Sequence, residues 1–270
     1  MNTTTERGFA LLAAGLLLAG CGPRMDVTIS FAAAVGDEPF ACGTTFEDFG
    51  SGDGDFEARD LRFFVSEIEL IDAEGAPAAF TPTDDGASQA DGVALLDFED
   101  ASGGGCAGDA GTHDAVAGTV AEGEYTGVAF TLGIPSDLNH QDAFDAEPPF
   151  DTTQMFWEWN SGYRFLRVDR AEGSANNWLF HLGSTSCEAQ DNGDRVCEHA
   201  NRTRIELDGF DADASVVTLD LADLVGSTDI DVEPGCQSQT NTPECEPLFR
   251  ALGLGFDGGD GGTQSAFSLR

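Results

Sequence analysis

The side chains able to do chemistry in this chain are concentrated between Leu132 and Cys187. That stretch reads LGIPSDLNH, then MFWEWNSGYRFLRVD, then FHLGSTSC, and it carries His140 and His181 together with every tryptophan of the chain, Trp157, Trp159 and Trp178. An indole can be oxidised, an imidazole can ligate a metal or move a proton, and the thioether of Met155 is a soft donor. His140 and His181, brought together by the fold with Met155 nearby, would suit copper, because imidazole binds several borderline metals and thioether sulfur favours Cu(I). His113 and His199 lie in Gly- and Asp-rich or cysteine-flanked surroundings, where a solvated imidazole is expected. By composition alone the indoles read as core aromatics with their N–H groups on backbone acceptors.

The conformation of Met155 to Trp159 decides where the indoles point. An extended segment puts Met155, Trp157 and Trp159 on one face and Phe156 and Glu158 on the other, with Asn160-Ser161-Gly162 turning into the next strand. A helical turn closed by Gly162 makes the two indoles diverge instead. The sequence leaves both arrangements open.

The elements that must position these residues read as all-β. Apolar residues alternate or run β-branched over residues 27–31, 61–70, 93–98, 125–132, 163–168, 178–181, 204–207 and 216–221, with Gly, Asp, Pro and Ser between them. No long segment after residue 21 keeps a helical period, and 34 glycines supply turns. The expectation is a disulfide-stapled antiparallel β-sandwich with long loops and short helices near residues 221–225 and 247–252. Residues 46–55 and 257–262 read as polar, Gly-rich loops. No Pro- or Ser-rich linker divides the chain, so residues 21–270 are expected to form a single domain.

The N-terminus reads as a targeting segment. Arg7 precedes an apolar run at residues 9–20 that is too short to span a bilayer and fits a signal peptide over residues 1–20. Leu18-Ala19-Gly20-Cys21 then matches a bacterial lipobox, which makes Cys21 the expected lipidated first residue of a mature protein anchored outside the cytoplasm, on the outer membrane. The remaining cysteines, Cys42, Cys106, Cys187, Cys197, Cys236 and Cys245, are even in number and read as disulfides of an oxidising compartment. Cys187 with Cys197 and Cys236 with Cys245 would close short loops and leave Cys42 with Cys106, although the sequence does not choose among the pairings. No paired C-x-x-C spacing suggests a thiolate metal site instead. The formal net charge is -37, from 49 acidic and 12 basic residues, and the chain contains no lysine. Such self-repulsion favours solubility and disfavours nucleic acid or anionic membrane surfaces as partners.

Taken together, several motifs in one order resemble the MbnP family, also called the metallo-mystery-pair four-Cys-motif proteins. They are Gly133-Ile134-Pro135, Leu138-Asn139-His140, Met155-Phe156-Trp157 with Trp159, Gly162-Tyr163, Phe165-Leu166-Arg167, and His181-Leu182-Gly183-Ser184-Thr185 leading to Cys187. Ala94 to Phe98, Cys197 before Asn201-Arg202, Gly235-Cys236, and Cys245 before Leu248-Phe249 also fit, so the resemblance spans nearly the whole mature chain. It implies an exported copper-binding protein, holding Cu+ or Cu2+, whose partner is a di-haem enzyme of the MauG and cytochrome c peroxidase type. That partner oxidises a tryptophan of the binding protein to kynurenine, and the protein itself is not an enzyme. Opening the indole ring creates an aryl amine and a ketone, so a donor nitrogen appears where none existed. Carried onto this sequence, His140 and His181 become the copper ligands, Trp157 or Trp159 the modified residue, and Trp178 a weaker candidate. Related methanotroph surface proteins place kynurenine and histidine two residues apart, whereas Trp159 and Ser161 stand two beyond Trp157 and Trp159 here. The two short-range cysteine pairs match the four-Cys pattern.

A different class of function is an acidic surface scaffold or adhesion lipoprotein ordered by Ca2+, which could also serve as an additional structural ion. Asp191-Asn192-Gly193-Asp194 and Asp53 with Asp55 supply hard oxygen donors, without full EF-hand spacing. No G-x-S-x-G elbow, H-E-x-x-H pair or phosphate-cradling loop indicates a catalyst.

Overall fold

The computed structural model describes residues 22–102, 106, 108, 110–158, 160–171, 177–191, 193–232, 234–239 and 241–270. The leader at residues 1–20, Cys21, Trp159 and Asn192 lie outside the described residues. Period-two burial builds the fold: Thr203–Asp208, TRIELD, alternates buried and exposed at every position, so one face is driven onto a core while the other meets water.

Two sheets pack face to face. In the first, Arg24–Val35 lies between Ala115–Ala121 and Val216–Asp220, and Phe267–Leu269 extends the sheet beyond Val216–Asp220. The second runs Phe156–Glu158, Gly162–Arg170, Gly54–Asp72, Tyr125–Leu132 and Thr203–Asp208, with Leu179–Gly183 also on Gly162–Arg170 and Val93–Asp97 on Gly54–Asp72. Most pairings are antiparallel, as expected. Arg24–Val35 and Val216–Asp220 instead run parallel, in register Phe31 to Val217, because the chain enters Val216–Asp220 from Thr203–Asp208 in the opposite sheet.

Four phenylalanines make the centre of the sandwich. Phe31 and Phe267 come from the first sheet and Phe63 and Phe130 from the second, with ring centroids 5.4 Å to 6.2 Å apart in edge-on arrangements. The neighbour of Phe63, Phe64, points the other way and meets Phe150 and Tyr163. The middle of Gly54–Asp72 is consequently buried on both faces, and the segment after Leu132 covers the second one. Phe150 and Met155 are among the buried residues of that cover.

The bridges join Cys42 to Cys106, Cys187 to Cys197 and Cys236 to Cys245. Cys236 also behaves as a strand residue: its N–H donates to Leu179 O and its carbonyl accepts from His181 N. The helix Cys245–Ala251 is thereby tied to the Leu179–Gly183 strand, one turn's fraction earlier than the expected 247–252. Leu221–Val225 is helical as expected, started by the Asp220 side chain accepting from Ala222 N at 2.9 Å. Among the described residues no helix is long and apolar enough to cross a membrane.

Residues 46–55 differ from the expected loop. Thr45–Phe49 is a strand, and Phe46 and Phe49 are buried, with Phe49 stacked on Phe56 at 4.6 Å. Two aromatic anchors outweigh the local glycine and aspartate. Ala115–Ala121, AVAGTVA, gave little sequence signal because its small side chains barely mark an alternation that the register with Arg24–Val35 makes plain.

Phe63 is the central ring to remove. Phe63→Ala should cost about 3–5 kcal/mol, measured as a lower urea midpoint at unchanged slope.

Candidate functional site

Charges cross the second sheet in a row. Asp97 on Val93–Asp97 stands opposite Arg62, Arg62 opposite Arg167, and Arg167 opposite His181, over four adjacent strands. In the next pair Asp60 stands opposite Asp169. Directly opposed like charges repel, so the stabilising contacts run diagonally and along the strands. Arg167 Nη1 meets Asp60 Oδ2 at 3.1 Å and Arg167 Nη2 meets Asp169 Oδ2 at 2.6 Å. Arg62 Nε lies 3.1 Å from Asp60 Oδ1 and 3.3 Å from Asp97 Oδ1, and its Nη2 donates to Glu99 Oε2 at 3.1 Å.

His181 closes the row. Its Nε2 is 2.7 Å from Asp169 Oδ1, and its Nδ1 lies 3.2 Å from Arg164 Nε. Arginine can only donate, so Nδ1 holds the lone pair and the proton sits on Nε2, facing the carboxylate. Burial pushes His181 below its ordinary pKa, and Arg164 and Arg167 add to this against the pull of Asp169. Burial works to raise the Asp169 carboxyl, but the bond from His181 and the two contacts from Arg167 overcome it and hold it well below the usual carboxylate range. Asp60 has no such surplus of donors. Its burial dominates, Arg167 and Arg62 offset only part of it, and its pKa is pushed up to about 7.

Arg164 reaches this face through an irregularity. The register between Gly162–Arg170 and Leu179–Gly183 shifts between Arg164 and Leu166, which lets Arg164 join Arg167 and Asp169 where strict alternation would separate them. Its Nη1 donates to the carbonyls of Gln154 and Phe156 at 2.8 Å each, and Arg167 Nη1 donates to Gln154 O at 3.1 Å. The two arginines thus hold the backbone around Met155.

That backbone is helical up to Met155 and extended after it. Thr153–Met155 is a 3-10 turn and Phe156–Glu158 a strand paired to Gly162–Arg170, so the extended arrangement holds over the described residues after Met155, and Gly162 opens a strand where the helical alternative had it close a turn. Trp157 is half-buried, with its ring centroid 6.3 Å from that of His181 and Arg164 Cζ 5.6 Å from the indole centre. It lines a surface cavity of about 230 Å³ with Glu158, Ser161, Thr185, Gln237 and Gln239. The ring edge packs on Gly183, where a Cβ would stand 2.6 Å from Trp157 Cζ3 and 2.8 Å from the Tyr163 carbonyl oxygen. Trp178 is fully buried beside Phe56, and its Nε1 has no hydrogen-bond partner among the described residues. Met155 is fully buried in the hydrophobic core.

His140 lies against the Cys187–Cys197 bridge. Asn139 fastens its loop to the turn before Gly162–Arg170, accepting from Tyr163 N at 3.0 Å and donating to Ser161 O at 3.3 Å. His140 Nε2 lies 3.5 Å from Cys197 Sγ, and the ring lines a cavity of about 520 Å³ with Asp137, Gln141, Asp194 and Arg195. Two groups of three donor atoms lie close together among the described residues: His140 with Cys187 and Cys197, and Glu99 with Cys42 and Cys106. In both, the sulfurs are bonded to each other and are not thiolates. The carboxylates of Asp53, Asp55, Asp191 and Asp194 form no such group among the described residues.

The structure therefore brings His181 and Trp157 together, with Arg164 and Asp169 as partners that the sequence reasoning missed. A signal was present: YRFLRVD places Arg164, Arg167 and Asp169 inside a strand that otherwise reads as core.

A family model described as MbnP matches residues 24–242. A solved structure described as MbnP from Methylosinus trichosporium superposes with a TM-score of 0.82 at 32% sequence identity, covering 92% of this chain and 98% of that one. No curated protein matches the chain.

Two outcomes follow from the geometry. The native state holds the Asp60 proton more tightly than the unfolded chain, so the stability it contributes is complete below about pH 3.8 and is lost as pH rises through about 7. The urea midpoint should show that decline, and Asp60→Asn should flatten it. Gly183→Ala should push the Trp157 ring off its seat, costing about 1–3 kcal/mol and altering indole emission. An unchanged emission spectrum would count against the contact.

Proposed function

The chain belongs to the MbnP family, and from that premise we propose that it is an exported copper-binding protein whose Trp157 is oxidised to kynurenine by a di-haem partner of the MauG and cytochrome c peroxidase type. One observation carries the reading: Trp157 is half-exposed on a cavity and lies against His181, whose proton is held on Nε2 by Asp169 so that Nδ1 keeps the lone pair. Trp178 is sealed in the core, where an external oxidant has no contact with it. Trp159, the other candidate, keeps its standing from the sequence motif.

The donor set fits copper. Imidazole, an aryl amine and the thioether of Met155 are borderline to soft ligands. Asp169 stands behind His181 as a carboxylate stands behind many metal-bound histidines, fixing the tautomer and raising the basicity of the free nitrogen. A cation already occupies this place, since the Arg164 guanidinium lies over the Trp157 face and bonds to His181 Nδ1. His181 with the aryl amine would hold the ion, and His140 and Met155 are the further ligands drawn from the family motif. Bound copper would supply a redox-active or transferable ion. In this reading the chain is the substrate of the haem partner and a carrier of the metal, not a catalyst. Cys21 would anchor it by a lipid to the outer membrane, and the three bridges suit that oxidising side.

Mass spectrometry after co-expression with an active di-haem partner should locate the kynurenine mass change on the peptide carrying Trp157. Replacing both His140 and His181 with Ala should abolish tight copper binding in a chelator competition. An unmodified Trp157 under active partner would remove it as the precursor, and unchanged affinity in the double variant would remove both histidines from the site.

A further inference from the structure

Arg164 is a half-buried guanidinium, and among the described residues no carboxylate forms an ion pair with it, in a chain with 49 acidic residues. Its neighbours are neutral and electron-rich instead. Nε donates to His181 Nδ1 at 3.2 Å, Nη1 donates to Gln154 O and Phe156 O at 2.8 Å each, and Cζ stands 5.6 Å from the centre of the Trp157 ring. Asp169 and Asp60, the carboxylates that act on it, are taken by His181, Arg167 and Arg62. The indole face and the imidazole and carbonyl lone pairs hold the guanidinium here, while burial and the neighbouring Arg167 work against its charge and push its pKa down to about 10. Arg164 supplies that charge from within the chain, through the irregular register that turns it onto this face.

We propose that Arg164 is a tethered cation held on the His181 nitrogen that copper would need, so that it competes with the entering ion and sets the affinity of the site. The inference rests on the copper reading above. An ion can enter only by binding the His181 nitrogen strongly enough to displace the guanidinium. Before loading, it keeps the indole and the imidazole apart in fixed positions and keeps the His181 lone pair from taking a proton or another metal.

The test uses the whole mature protein, with Cu+ presented in competition with a chromophoric chelator. Arg164→Gln should raise Cu+ affinity by about tenfold or more, and Zn2+ affinity with it. Arg204→Gln, which removes the same charge from an exposed pair with Glu69 and Glu206, should leave both unchanged. In the unaltered protein, saturation with Cu+ should shift the Arg164 Nε–H resonance together with His181 Nδ1, a readout that needs no variant to fold. Equal or weaker Cu+ binding by folded Arg164→Gln, or an Arg164 resonance that stays put at saturation, overturns the proposal while leaving copper binding intact. Absence of Cu+ binding by the unaltered protein overturns the copper reading and this inference together.

Discussion

Charge buried inside a sheet has to be paired where it stands, and this requirement ties the fold of the protein to its site. Arg62 and Asp60 on one strand face Arg167 and Asp169 on the next, nearly out of contact with water. Each charge would cost several kcal/mol to bury alone. Alternation along both strands converts the set into a square of opposite neighbours, and His181 and Glu99 extend it at either end. A slip of one residue in register would send every one of these side chains to the other face. The network therefore contributes more to the uniqueness of the pairing than to net stability, since apolar residues of similar volume could match it in energy.

The use of arginine follows from the same constraint. A chain of net charge -37 has few cations to place, and it commits Arg62, Arg164, Arg167 and Arg170 to the inner strands. A guanidinium suits that task because it donates in several directions in one plane and is less strongly hydrated than an ammonium. Arg167 contacts Asp60, Asp169 and the Gln154 carbonyl together. Arg164 serves two carbonyls, an imidazole and an indole. The segment around Trp157 is thus held to the sheet by polar contacts beneath it, while Gly183 and Gly162 allow close approach from either side. A side chain at Gly183 would strike Trp157, and one at Gly162, where φ is +77°, would strike Asn139.

Much of the fold was legible in the sequence. Segments such as residues 125–132 and 204–207 declared themselves by apolar alternation, and the short helix at 221–225 by the end of that alternation. The two short-range cysteine pairs stood out as closers of local loops, although only the structure chose among the pairings, and the family was legible from motifs spread along the chain. Thr45–Phe49 and Ala115–Ala121 were not legible, because glycine, aspartate and alanine around them mask positions that only cross-strand partners bury. The site divided in the same way. His181 and Trp157 stood out by residue type, but so did His140, which the fold carries to the Cys187–Cys197 bridge, and Trp178, which it seals beside Phe56.

What the sequence determined by itself is chemistry and periodicity: which residues can ligate, be oxidised or be bridged, and which faces of which strands seek a core. Those properties are local, fixed by side-chain type and by spacings of a few residues. The tertiary structure decided proximity. Trp157 and His181 are separated in the chain by the whole Gly162–Arg170 strand, and they meet because that strand pairs with both of their segments. Arg164 joins them only through a register shift, and Asp169 sets the tautomer only because Leu179–Gly183 lies beside its own strand. Register between distant segments depends on the summed burial of whole strands, and no spacing within one strand encodes it.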